Sequence, residues 1–156
     1  MKRLPAAVRA LEVGERRLAW GLCADGTALV ASAGAFYGGG LRLPWVEIER
    51  AGWAAPVLTV VEASEVEGSG AVHVFEVDSD FRLAEAVRTC LTSSVAWSDH
   101  RTFGSAGSVR LVGRRVPGQE LLTWQQVWAP GTDRFDPALR ARADAWVLEL
   151  RKELKI

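Results

Sequence analysis

The sequence predicts an α+β protein in which several antiparallel strands and a helix are followed by three more strands and a second helix. Apolar and polar residues alternate over much of the first half of the chain, a period of two that is typical of strands. Two later stretches change to helical spacing. Strands that follow one another through short turns favour antiparallel sheets, and the strand–helix alternation of a parallel sheet is missing.

The composition is that of an ordinary globular protein. A chain of 156 residues is long enough for one domain with a buried core, and 49% hydrophobic and 24% charged residues are typical. Nineteen basic residues balance nineteen acidic ones, so we expect no general attraction to nucleic acid. No segment is apolar for long enough to cross a bilayer, so we expect no integral membrane association.

The cysteine content bears on the cellular compartment. Only Cys23 and Cys90 are present, and the first residues lack the uninterrupted apolar core of a secretory signal. We therefore expect a cytoplasmic protein with two reduced, buried thiols.

The first elements are a short helix and a hairpin. Apolar residues at spacings of four and three predict a helix over Pro5–Leu11. Period-two alternation predicts a strand over Arg17–Cys23, the Asp25-Gly26 pair predicts a tight turn, and Thr27–Ser32 is expected to return antiparallel to the first strand.

The stretch Leu43–Trp53 is predicted to be the central strand of the chain. Val46 and Ile48 alternate with Glu47 and Glu49, as on a strand with one apolar face. Further strands are expected over residues 57–61 and 71–77, with an acidic loop over residues 62–70 between them.

Helical spacing marks two segments of the second half. Ser79 or Asp80 is expected to cap a helix that runs to about Val95. The pair Asp136-Pro137 predicts the start of a long C-terminal amphipathic helix, because proline is favoured at the first helical position. Its apolar stripe consists of Leu139, Ala143, Trp146, Val147, Leu150 and Leu154. Between the helices, residues 97–103, 109–115 and 121–128 predict a three-stranded antiparallel meander.

The first part of the chain resembles a known family. A curled antiparallel sheet capped by a helix is the pleckstrin-homology-like arrangement, and residues 15–20, the Asp25-Gly26 turn and residues 43–53 are similar to an uncharacterised group of actinobacterial proteins with a bacterial domain of this kind. The resemblance covers residues 14–96 of an expected single domain, 1–156. It implies a binding or scaffolding module without a known reaction, and it assigns no functional residue. Residues 97–156 are an addition to the minimal domain.

Residue types that carry chemistry are few and dispersed. Cys23, Cys90, His73 and His100 are not at ligand spacing from one another, so no metal site is expected. The run Ser98-Asp99-His100 contains the residues of a catalytic triad, but adjacent residues on a strand point to opposite faces. No catalytic residue is therefore assigned.

Two glutamates provide one weaker indication of catalysis. Glu47 and Glu49 on one strand face would lie about 7 Å apart, within the range of the carboxylates of inverting glycosidases. Arg42 and Arg50 nearby favour instead a solvated face with cross-strand ion pairs. The glycine-rich turns lack the lysine of a phosphate-binding loop, so no cofactor is expected.

Arginines and tryptophans on neighbouring strands form a candidate partner-binding surface. Both residue types are enriched where proteins bind one another. The alternative is a solvent-facing strand whose tryptophans are buried under the last helix. The residues of this candidate surface are Arg110, Arg114, Arg115, Trp124 and Trp128.

We therefore expect a non-enzymatic protein-interaction or scaffolding module, with an unknown protein partner or self-association. The alternative is a small-ligand or lipid-binding domain, because a curled sheet capped by a helix can enclose a pocket. Trp20, Trp45 and Trp53 are the candidate lining of that pocket. An enzyme with Glu47 and Glu49 as its acids is a third, weaker possibility.

Overall fold

The computed structural model describes residues 4–11, 13–78 and 81–154, without the side chain of Phe81. The predicted α+β class is confirmed: the described residues form three antiparallel sheets together with helices, the last of them near the C-terminus. No described helix is both long and apolar enough to span a membrane.

The chain divides into two compact units. Unit 1 contains Met1–Ala63 and Ala71–Ser94, and unit 2 contains Ser64–Gly70 and Val95–Ile156. The main boundary therefore lies close to the division predicted between residues 96 and 97. The short segment Ser64–Gly70 was expected only as a loop and belongs to unit 2.

Unit 1 consists of a four-stranded sheet of order β1-β2-β3-β4, a three-stranded sheet of order β5-β6-β7, and two helices. The predicted leading helix, the first hairpin and the helix that runs to about Val95 are all observed. The predicted caps of that last helix, Ser79 or Asp80, lie outside the described residues. The bounds are α1 (Ala6–Ala10), β1 (Arg17–Leu22), β2 (Ala28–Ser32), β3 (Ala35–Gly38), β4 (Leu41–Pro44), β5 (Ile48–Ala54), β6 (Val57–Glu62), β7 (Val72–Glu76) and α2 (Phe81–Ser94).

The four-stranded sheet is buried on both faces. On one face, Val8 of α1 is fully buried and packs with Val30 and Tyr37. On the other face, Leu29 and Phe36 belong to the main core. Because both faces are covered, every residue of β2 is buried.

The main core also includes one face of the three-stranded sheet and the apolar stripe of α2. Leu58, Leu83 and Val87 are each about 1% exposed. The seven strands form two sheets, so the expected single curled sheet is not confirmed. An isolated bridge between Cys23 and Val77 joins the chain after β1 to the chain after β7.

The prediction of one central strand over Leu43–Trp53 is wrong for the first half of that segment. β4 ends at Pro44, and Trp45–Glu47 form a 3-10 turn before β5 begins. This turn carries the chain from one sheet to the next and buries Trp45, which is 4% exposed. Glu47 and Glu49 consequently do not share a strand face.

Unit 2 is a three-stranded meander of order β10-β9-β8 covered by a long helix. The meander and the helix are both confirmed predictions. The helix starts where predicted, since Asp136 Oδ1 accepts a hydrogen bond from the N–H of Ala138 at 2.9 Å. The bounds are β8 (Val95–Thr102), β9 (Ser108–Arg114), β10 (Thr123–Trp128) and α3 (Pro137–Leu154), and the buried residues of α3 are Leu139, Ala143, Trp146 and Leu150.

The segment Ser64–Gly70 extends the sheet of unit 2 beside β10. Trp128 N–H donates to the main-chain oxygen of Glu65 at 2.7 Å, and Glu67 N–H donates to the oxygen of Trp128 at 2.9 Å. Val66 thereby forms a parallel bridge with Trp128. Within unit 2, this segment covers one edge of the meander.

Candidate functional site

The candidate site is a cleft of about 330 Å³ in unit 1, between strand β5 and helix α2. Its volume lies at the lower end of the range for small-ligand pockets. Strands β5 and β6 form one wall and α2 forms the other. The lining residues are Ala51, Gly52, Trp53, Leu58, Ala84, Glu85, Val87 and Arg88.

The floor of the cleft is apolar because two core-facing patterns meet there. On β5, Ala51 and Trp53 point toward the core, and the register places Trp53 opposite Leu58 of β6. On α2, Val87 faces the same core. Leu58 and Val87 are almost fully buried, whereas Trp53 is only half-buried and forms a side wall.

The rim of the cleft carries two opposite charges. Glu85 and Arg88 are exposed and lie three residues apart, and therefore on neighbouring positions of the surface of α2. Neither side chain forms an ion pair with another described residue. Both side chains can therefore contact polar groups of a bound molecule.

Strand β5 offers main-chain hydrogen-bonding groups beside this cleft. It is the outer strand of the order β5-β6-β7, so β6 pairs with one side of it and no other described strand pairs with the opposite side. In antiparallel pairs, alternate residues turn their N–H and C=O groups away from the neighbouring strand. An edge of this kind can accept an additional strand.

The three tryptophans predicted to line one pocket do not come together. Trp20 points to the face of the four-stranded sheet that packs against α1, with Val30 opposite it. Trp45 is buried in the main core, where its Nε1–H donates to the main-chain oxygen of Ser32 at 3.0 Å. Only Trp53 reaches the cleft. The prediction fails because the three residues lie on different elements and, for Trp20, on the opposite sheet face.

The predicted arginine and tryptophan surface is also divided. The register places Arg110 and Arg114 opposite Val127 and Thr123, whereas Trp124 and Trp128 lie opposite Gly113 and Val109. Since directly opposite residues share a face, the arginines and the tryptophans project from opposite faces of the sheet.

Burial separates the five residues further. Arg114 is 4% exposed and donates from Nε to Gln125 Oε1 at 3.3 Å, and Trp128 is 1% exposed in the core under α3. Trp124 packs against the same core. Arg110 and Arg115 remain exposed. The five residues therefore do not form one surface. The tryptophans are instead buried under α3, as in the alternative to a partner-binding surface.

The remaining reactive side chains do not assemble a catalytic or metal centre. No group of three possible metal ligands occurs among the described residues. His73 is half-buried, and its Nε2 forms a hydrogen bond with Glu62 Oε2 at 2.7 Å. Burial, and secondarily the charge of Asp25, raises the pKa of the Cys23 thiol, so it is less reactive than a free cysteine.

A polar cluster around Glu15 was not predicted from the sequence. Its Oε1 accepts hydrogen bonds from Ser32 Oγ and the Tyr37 hydroxyl, both at 2.9 Å, and from Arg42 Nη2 at 3.2 Å. This cluster ties the chain before β1 to strands β2, β3 and β4. No local pattern marks it, because its members are brought together only by the sheet.

The cleft can bind a molecule, since it combines an apolar floor, a charged rim and an open strand edge. Its lining contains one carboxylate, Glu85, and neither a histidine, a cysteine nor a serine. It therefore lacks the paired groups of nucleophilic or general acid–base catalysis. No protein-family model, curated protein or solved structure matches this chain.

Proposed function

We propose that this protein is a non-enzymatic interaction module that binds an extended peptide segment of a partner protein along β5. The observation that carries the proposal is the position of an apolar cleft directly beside an open strand edge. Peptides that add a strand to a sheet gain affinity from main-chain hydrogen bonds and specificity from pockets for alternate side chains.

The chemistry of the cleft indicates what the peptide must contain. An apolar side chain fits between Trp53 and Ala84, above the floor formed by Leu58 and Val87. Polar residues before or after it can contact Glu85 and Arg88 at the rim. We therefore expect β-prone segments with one aliphatic or aromatic anchor to bind best.

The family resemblance is part of the same proposal. We propose that unit 1 is a pleckstrin-homology-like domain, because four strands, three strands and a helix follow one another in unit 1 and the bridge from Cys23 to Val77 links the two sheets. In this interpretation the helix that closes the domain is α2, which also forms one wall of the cleft.

The test is a selection of displayed peptides on the full-length protein, followed by fluorescence anisotropy with the selected peptides. Ala84→Phe fills the cleft and should weaken binding tenfold or more. Ala141→Phe, at an exposed alanine of α3, is the matched control and should leave binding unchanged. Circular dichroism shows whether both variants fold. Equal affinity of a folded Ala84→Phe variant would place the peptide elsewhere.

A small apolar ligand is the second candidate, because the cleft volume of about 330 Å³ also suits such a molecule. A panel of fatty acids and aromatic metabolites can be screened by quenching of tryptophan fluorescence. Quenching that disappears in Trp53→Phe would favour this candidate. Binding of peptides without any small-molecule quenching would favour the interaction module.

A further inference from the structure

Strand β8 is the outer strand of the meander in unit 2 and is open along one side. The order β10-β9-β8 leaves one of its edges without a described strand. β8 spans eight residues, and five consecutive ones, Ser98–Thr102, are exposed. Between Trp97 and Thr102 its register with β9 is regular, so this part is straight enough to pair again.

One hydrogen bond shows which main-chain groups face the open edge. The N–H of His100 donates to the side-chain Oδ1 of its neighbour Asp99 at 2.8 Å, so this N–H is not used by β9. His100 thus belongs to the alternate residues that point their N–H and C=O outward. By the same alternation, Ser98 and Thr102 also present theirs to the edge.

The exposed sequence is self-complementary about His100. If a second copy of β8 pairs antiparallel with His100 opposite His100, Asp99 of each copy lies opposite Arg101 of the other. Ser98 then lies opposite Thr102, and Trp97 opposite Phe103. The two His100 residues would form a hydrogen-bonded pair, because their main-chain groups point outward. Asp99 and Arg101 would then form a non-hydrogen-bonded pair, the type in which the side chains approach most closely.

The charged side chains also lie on the same face of the sheet. The guanidinium carbon of Arg101 lies 4.2 Å from the centre of the Trp146 ring, which places Arg101 on the face covered by α3. Trp97, two residues before Asp99 on the strand, contacts the same Trp146 ring at 6.2 Å between ring centroids. Asp99 lies between these two residues on that face. A two-fold axis perpendicular to the sheet at His100 leaves both charged pairs on this face.

We propose that the protein forms a homodimer by antiparallel pairing of β8 with β8 of a second copy, centred on His100. The pairing joins two meanders into one continuous sheet and forms two symmetric ion pairs between Asp99 and Arg101. Such an interface is isologous, so the dimer is closed and does not grow into a filament. It uses the edge strand of unit 2 and does not depend on the cleft of unit 1.

Charged residues on an edge strand have an opposite possible role, which is to prevent pairing. In that case Asp99 covers the N–H of His100 and the protein stays monomeric. Charge reversal distinguishes pairing from its prevention. Reversing one charge should weaken self-association only if Asp99 and Arg101 of two copies lie opposite each other.

The experiment is sedimentation equilibrium of the full chain over a range of concentrations, with charge-reversal variants. We expect the wild type to self-associate. Asp99→Arg should weaken the dimer tenfold or more, because it places arginine opposite arginine. Arg101→Asp should weaken it in the same way, by placing two aspartates opposite each other.

Two combinations restore complementary charges and make the test specific. An equimolar mixture of the Asp99→Arg and Arg101→Asp proteins should form a heterodimer, and the double variant should regain the homodimer. His100→Pro removes an outward N–H that β9 does not use, so it should abolish dimerisation while circular dichroism stays native. A monomeric wild type, or single variants that associate as strongly as the wild type, would overturn the proposal.

Discussion

The indole N–H of Trp45 donates a hydrogen bond to the main-chain oxygen of Ser32 at 3.0 Å. Trp45 lies in the 3-10 turn after β4, and Ser32 is the last residue of β2. Both residues are buried, and among the described side chains the second donor to this oxygen is the weak thiol of Cys90 at 3.9 Å. The bond therefore ties the connection between the two sheets of unit 1 to the first sheet.

Trp45→Phe should lower the free energy of unfolding by about 2–4 kcal/mol, since it leaves a buried carbonyl with a weak donor and creates a cavity. Urea denaturation followed by circular dichroism measures the loss. Trp53→Phe is the matched control. Trp53 is half-buried and its indole donates no hydrogen bond to another described residue, so we expect a loss below about 1 kcal/mol. Equal losses in the two variants would mean that the Trp45 bond is not important.

Glu15 makes the stability of unit 1 dependent on pH. Partial burial raises the pKa of its carboxyl group, but hydrogen bonds from Tyr37 and Ser32 and the charge of Arg42 outweigh it, so the pKa lies below its usual range. A lowered pKa in the folded state contributes stability above the unfolded-state value of about 4.3. This contribution is lost as the pH falls through the lower folded-state value.

Glu15→Gln should therefore be less stable than the wild type at pH 7 and should lose less further stability between about pH 5 and pH 3. Urea denaturation at several pH values measures the difference. Glu120→Gln, at an exposed acid of the same type, should follow the wild-type pH curve. A Glu15→Gln curve parallel to that of the wild type would contradict the role of the cluster.

The main-chain bond from Glu67 to Trp128 should stabilise unit 2. Glu67→Pro removes the N–H that donates at 2.9 Å and should cost about 1–3 kcal/mol. Glu67→Ala keeps that bond and removes only an exposed ion pair with Arg110 at 3.7 Å, so it should cost less than about 1 kcal/mol. Urea denaturation compares the two, and hydrogen exchange at the Trp128 amide shows whether the segment has detached. Equal stability of the two variants would show that the segment contributes only its charge.

Trp146 should be the most important side chain of α3. It is 4% exposed, lies among the core residues of unit 2 and contacts the rings of Trp97 and the guanidinium of Arg101. Trp146→Ala should cost about 3–5 kcal/mol. Leu148→Ala, at a residue that is 60% exposed on the same helix, should change stability by less than about 0.5 kcal/mol. A loss below about 1 kcal/mol for Trp146→Ala would mean that α3 packs with another face.

Local patterns predicted the secondary structure well. The apolar stripe of α3 and its Asp136 cap are observed as expected, and so is the Asp25-Gly26 turn, where Gly26 has a φ of 88°. The Trp45–Glu47 turn was missed because the alternation of apolar and polar residues continues through it. The extension of the sheet by Val66 was also missed, although Glu65 and Glu67 alternate around it as in a strand.

The candidate site was predicted only in part. Trp53 was selected from the sequence, but the residues that form the cleft with it come from α2 and from the opposite strand. Ala84 and Val87 carry no chemical signal of their own, so nothing in their local sequence indicates a binding site. They become part of one because α2 packs beside an outer strand.

The α+β class, the two main helices and the strands of the meander could be predicted from the sequence, because hydrophobic period, caps and turns act between residues close together in the chain. Which side chains come into contact depends on the tertiary fold. The register between β9 and β10 placed Arg114 and Trp128 on opposite faces, and the pairing of Val66 with Trp128 assigned residues 64–70 to unit 2. These outcomes depend on hydrogen bonding and burial between segments far apart in sequence, which no local pattern encodes.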